Sequence, residues 1–190
     1  MYNPAGIMLA ILRALFGRLV DIILLRRGPE QLPASRTLLV LMIVLNFVGS
    51  LIWAGVVSVP AIDAMLQSLI ACGVMLLWYH WALHIAQKRE RYLQTLTALF
   101  GVSAMFLPVL MPLVGAMLPY LEKADPNSPP PAVLMIMTMV VLFWGLLVNV
   151  RIVRVAFETN WVGAILLVLG EGFATLFVLS VFLGDPSKAA

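Results

Sequence analysis

Apolar residues in this chain gather into five long runs, at about residues 37–59, 64–86, 93–118, 132–150 and 161–183, separated by short polar or proline-bearing stretches. Each run has about the 20 residues that cross a hydrocarbon core at about 1.5 Å of helical rise per residue. The pattern predicts an all-α fold, a polytopic membrane bundle of five transmembrane helices in a single domain over 1–190. A shorter segment, 5–27, is patterned differently. Arg13, Gly17 and Asp21 recur at i, i+4 and i+8 with Arg18 beside them, while Ile7, Ile11, Leu15, Leu19 and Ile22 fall on the other side. That periodicity predicts an amphipathic interfacial helix in the headgroup plane, ending at Arg26-Arg27 before Gly28-Pro29.

The stretches between runs carry turn signals. Pro29, Pro33 and Ser35 mark a loop, Pro60 ends the first run, and Lys88-Arg89-Glu90-Arg91 forms a basic turn after the second. Pro108 and Pro112 lie inside the third run and Pro119 directly follows it, each removing a helical hydrogen bond; they predict a bend in its outer half. Asp125-Pro126-Asn127 and Pro129-Pro130-Pro131 make 121–131 a turn-rich loop. The fourth run continues as a polar-edged helix through Arg151, Arg154 and Glu158.

Composition narrows the class. With 63% hydrophobic and 11% charged residues the chain is no soluble globule, and any chemistry belongs in the membrane or its short loops. The single cysteine, Cys72, lies inside an apolar run and has no internal partner for a disulfide. Arg13, Arg18 and Asp21 interrupt any signal-peptide core near the N-terminus. The net charge of +3 matters less than its distribution. Of the 12 Lys and Arg residues, ten fall on the side of the N-terminal segment and of the turns after the second and fourth runs; only Lys123 and Lys188 lie opposite. Positive charge stays inside, so the N-terminus is expected in the cytoplasm and the C-terminus outside an inner (cell) membrane. Trp78, Trp81, Tyr92 and Trp161 then fall at the inner boundary, and Trp53 and Tyr120 at the outer one.

With depth assigned, one residue stands out. Glu171 sits in Leu169-Gly170-Glu171-Gly172-Phe173, ten residues and about 15 Å inward from Trp161. An ionisable group at that depth is costly and is normally paired. Asn46 in the first span, Ser103 in the third and Thr138 in the fourth reach similar depth. Thr175 shares the Glu171 face; Gly163, Gly170 and Ala174 form a small-residue seam beside it, and Val162, Leu166, Leu169, Phe173 and Leu176 lie opposite, toward lipid. These residues predict a polar cluster in which Glu171 bonds with Asn46, Thr175 and Ser103. A structural clasp and a proton or ion site both fit it.

Other constellations are weaker. His80 and His84 are i, i+4 on one face, a spacing compatible with metal, but no third ligand is in reach and no metal or other cofactor is expected; the pair reads as interfacial packing. Gly101-Val102-Ser103-Ala104 lacks the last glycine of the intramembrane serine protease pattern Gly-x-Ser-Gly, and both histidines precede the serine, so no catalytic residue is assigned. Lys88, Arg89, Arg91, Arg151 and Arg154 form a cytoplasmic basic rim suited to anionic lipid headgroups or to a docking partner, and nothing points to nucleic acid.

Five spans after a short N-terminal segment, with the basic turn Lys88 to Tyr92 leading into Leu93-Gln94-Thr95, resemble the Yip1 family of five-span membrane proteins and small bacterial proteins related to it. The resemblance covers most of the chain at the level of architecture. The Asp-Leu-Tyr-Gly-Pro motif of the eukaryotic members is absent, so no Rab-binding role carries over, and the family implies no enzyme. The expected function is a non-catalytic scaffold or accessory subunit working with other membrane proteins or by self-association. The alternative is a small proton- or ion-coupled carrier using Glu171.

Overall fold

A computed structural model describes residues 4–123 and 129–184, with side chains over 13–121 and 129–184. Ile7, Ile11, Asp125 to Asn127 and Lys188 lie outside the described side chains. The described chain is helical, and five of its helices are long and apolar enough to cross a membrane; this is a multi-pass membrane protein. In order the helices are α1 (Pro4–Ile23), α2 (Arg36–Val56), α3 (Ala61–Ile85), α4 (Tyr92–Lys123), α5 (Ala132–Phe157) and α6 (Trp161–Leu183), with single 3₁₀ turns at Pro29–Gln31 and Arg89–Arg91.

Their ends have local causes. Ser35 caps α2 by accepting from the Leu38 amide at 3.3 Å, and Asn160 caps α6 by accepting from the Gly163 amide at 2.7 Å. At four exits the chain turns through the left-handed region on a residue that is not glycine: Leu25, Ser58, Gln87 and Glu158, with φ between 52° and 59°. Helix exits of this kind usually carry glycine, because a Cβ there costs about 1 kcal/mol. α4 continues through Pro108, Pro112 and Pro119 as one helix, leaving the carbonyls of Ala104, Pro108 and Gly115 without their usual helical donors.

The spans close into a ring. α4 packs on α2, α2 on α3, α3 on α6, α6 on α5, and α5 back on α4. α1 lies outside that ring against α4 and α5. Its apolar side is spent on protein: Leu19 and Ile22 are buried, and Leu19 meets α4 at Gly101 beside Met42 of α2. The indole of Trp144 donates to the Ile23 carbonyl at 3.0 Å. Arg13 and Arg18 stay exposed, and Arg18 donates to the Gln31 carbonyl at 2.9 Å.

Burial concentrates at the end of the bundle that carries the basic turns. Residues 95–102 of α4 are covered on every side, and Tyr79, Leu83, Val148, Ile152 and Val153 join them in the core. Beyond it the buried residues among those described are few: Ala54, Ala64 and Thr138. The core thus forms a floor across one half of the ring.

Candidate functional site: an intramembrane polar cavity

Above that floor the ring encloses a cavity of about 460 Å³. Every span contributes a polar side chain to its wall: Asn46 and Ser50 from α2, Gln67 and Ser68 from α3, Ser103 from α4, Asn149 from α5 and Glu171 from α6. Val57, Val59 and Ala64 mark its upper limit at the α2–α3 turn, and Met75 and Phe100 its lower one. From Ala64 to Met75 the wall descends about 16 Å at the helical rise. A second cavity of about 470 Å³ adjoins it between α2, α4 and α5, and Asn46, Ser50, Ser103 and Asn149 line both. Cys72 also lines the first cavity and is partly exposed.

Glu171 is partly buried in this wall, and its carboxylate accepts from the Thr175 hydroxyl one turn on, at 3.1 Å. Asn46 and Ser103 face the same cavity, but among the described residues neither bonds to Glu171; Ser50 instead donates to the Asn46 backbone carbonyl at 3.0 Å. The expected clasp is therefore a lined space. The Trp78 ring of α3 lies on Gly170, and its indole N–H donates to the Leu167 carbonyl at 3.1 Å, so an aromatic ring is inserted where α3 meets α6. Of the expected small-residue seam, Gly170 makes this contact, Gly163 belongs to the α6 capping turn with Thr159 and Asn160, and Ala174 is partly buried; Gly172, outside that seam, has open space where a side chain would be. Val162, Leu166, Leu169, Phe173 and Leu176 point outward, 44–69% exposed, as a lipid-facing side requires.

Thr138 departs from the cluster. It is buried, donates to the Leu134 carbonyl one turn back at 2.9 Å, and meets the Met117 sulfur at 3.4 Å. A threonine that satisfies itself on its own helix has no need of a polar partner across the bundle. The fourth span's contribution is Asn149, whose side-chain oxygen is buried with no hydrogen-bond partner among the described residues. Measuring depth from a span end at Val150 hid it. α5 stays helical to Phe157, which puts Asn149 two turns inside the helix.

The basic rim is spent on internal ties. Lys88 and Arg91, from the α3–α4 turn, both pair with Glu158 at the α5–α6 turn. Arg91 also donates to the carbonyls of Val155 and Ala156 at 3.0 and 3.4 Å, completing the α5 C-terminus. The Lys88 hydrogen bond, seconded by Arg91, holds the Glu158 carboxyl below its ordinary value. Arg154 stacks over Trp161 at 4.6 Å, and the Arg151 Nε is buried without a partner among the described residues. His80 and His84 stand 6.5 Å apart ring to ring; Arg89 hydrogen-bonds to His84, and His80 packs edge-on to Tyr92. No family model, curated protein or solved structure matches the chain.

Proposed function

We propose that the protein is a non-catalytic inner-membrane protein that admits a small solute to the Glu171 cavity from the outer side, in the manner of a small coupled carrier. The observation that carries this reading is that all five spans spend polar side chains on one shared space. Helices that only needed to bind each other would satisfy those groups across direct contacts. Cavities of about 300–1,000 Å³ with a few convergent polar groups are the usual form of small-molecule sites. The orientation is that of the positive-inside count, with the basic rim cytoplasmic and the cavity opening outward. A Yip1-like five-span architecture is part of the same proposal.

Cys72 supplies the test. In right-side-out vesicles a membrane-impermeant thiol reagent should modify Cys72 from outside, and inverted vesicles should protect it. Complete protection in both, with labelling restored by unfolding, sinks the proposal. The second reading is the scaffold or accessory subunit; it is favoured by the cross-ties from Lys88 and Arg91 to Glu158, which stiffen the bundle as a platform. A stoichiometric partner recovered in mild detergent, together with an inaccessible Cys72, would select it.

A further inference from the structure

The chemistry of the cavity wall is one-sided. Among the described residues its single carboxylic acid is Glu171, and no Lys, Arg or His lines it. The neutral groups around that carboxylate are amides and hydroxyls, among them the Asn149 side-chain oxygen, buried and short of a donor. Trp53 and Phe100 add aromatic rings to the same wall, and Ala54, Ala64, Ala71 and Leu179 add apolar surface.

Each candidate occupant makes a different demand. An anion meets a carboxylate and no compensating base. A hard metal cation takes about six to eight oxygen ligands, commonly from several carboxylates. One acid is present, and no group of three His, Cys, Asp or Glu forms among the described residues. A bare proton has no use for a cavity of about 460 Å³ or for ring faces. An organic cation uses every feature. Its charge pairs with Glu171, an N–H satisfies Asn149, its polarised carbons lie against aromatic faces, and its apolar body lies on the alanines.

We propose that the cavity binds a small primary alkyl- or arylammonium compound, with its ammonium group between Glu171 and Asn149. This inference rests on the reading of the cavity as a solute site. A single carboxylate limits the charge matched there to one, which favours monoamines over polyamines.

Benzylammonium is a suitable probe, with benzyl alcohol as its neutral counterpart. The full chain in nanodiscs is treated with N-ethylmaleimide at mildly alkaline pH, and the rate of Cys72 modification is read by mass. Benzylammonium should slow the reaction in a saturable way, and benzyl alcohol should not. Glu171→Gln should weaken protection by about tenfold or more, the loss of one charge-assisted hydrogen bond, with Cys72 still labelled at its unprotected rate. Asn149→Ala, which leaves the carboxylate in place, should weaken it by about three- to tenfold. Rapid labelling that benzylammonium leaves unchanged overturns this inference and leaves the solute cavity standing. Equal protection by benzyl alcohol overturns it as well, because the site then reads apolar shape alone. A Cys72 that reacts only after unfolding overturns the cavity reading and this inference together.

Discussion

The two halves of the bundle are built on different terms. At the basic end α4 is sheathed by α1, α2, α3 and α5, and residues 95–102 have no exposed face. Loops join the packing there: Leu32 is buried, and Gln94 donates to its carbonyl at 2.9 Å. At the other end α2 to α6 surround space, and the polar side chains of Asn46, Gln67, Ser103, Asn149 and Glu171 face into it. Lipid tails are as apolar as leucine, so burying leucine between helices gains little from the hydrophobic effect; close contact and satisfied polar groups hold such a bundle together. The basic half has the close contact, although the Thr97 hydroxyl and the Arg151 Nε are buried there without partners among the described residues. The cavity half has less of that contact and surrounds a polar-lined space instead.

That contrast is exposed to tests of decreasing size. Leu96→Ala empties volume at a site with no exposure and should cost about 2–5 kcal/mol, whereas Leu179→Ala in the cavity wall should cost under about 1 kcal/mol. Unfolding in graded denaturing detergent measures both, and equal losses would dissolve the distinction between the halves. Gly101→Leu comes next. A side chain there meets Leu19 and Met42, so about 1–3 kcal/mol of overpacking should fall on the junction of α1 with α4, and proteolysis within α1 should quicken. The same change at Gly172, where space is open, should leave melting within about 0.5 kcal/mol of the wild type.

Glu171→Gln sharpens the comparison in another way. Its only polar partner among the described residues is Thr175, which can bond to an amide, so stability should move by less than about 1 kcal/mol while solute protection of Cys72 collapses. The smallest effect belongs to Glu158. Its carboxyl titrates below the ordinary 4.5 because Lys88 and Arg91 hold the charged form. A depressed folded-state value means that this contribution is fully present above pH 4.5 and is lost as pH falls through the lower folded value. The pair is exposed, so the loss should be slight, and Glu158→Gln should remove the pH dependence in that window and lower stability at neutral pH by the same slight amount. A steep acid transition that survives Glu158→Gln would place the titrating group elsewhere.

Element existence was legible from the chain, and element rotation was not. α6 is predicted over 161–183 and found at Trp161–Leu183, because Asn160 caps it and Gly184 follows it. The exits of α1, α2 and α3 carried no comparable signal: Leu25, Ser58 and Gln87 take left-handed turns that their side chains do not advertise. In the site, the depth of Glu171 could be counted from Trp161, and its bond to Thr175 follows from i, i+4 spacing. Depth placed Thr138 with Glu171, yet Thr138 turns back to Leu134 while Asn149 lines the cavity.

Sequence alone determined that this chain makes five spans, which end carries the positive charge, and that one acid lies within the last span. Those are properties of single segments, fixed by length, hydropathy and covalent spacing. Only the tertiary structure decided that α2 to α6 close into a ring, that Trp78 on Gly170 marks where α3 meets α6, and that Asn149 rather than Thr138 joins Glu171. A helix in lipid is free to turn any face toward its neighbours. Which face it turns is settled by close contact between helices, and that information is divided among segments far apart in the chain.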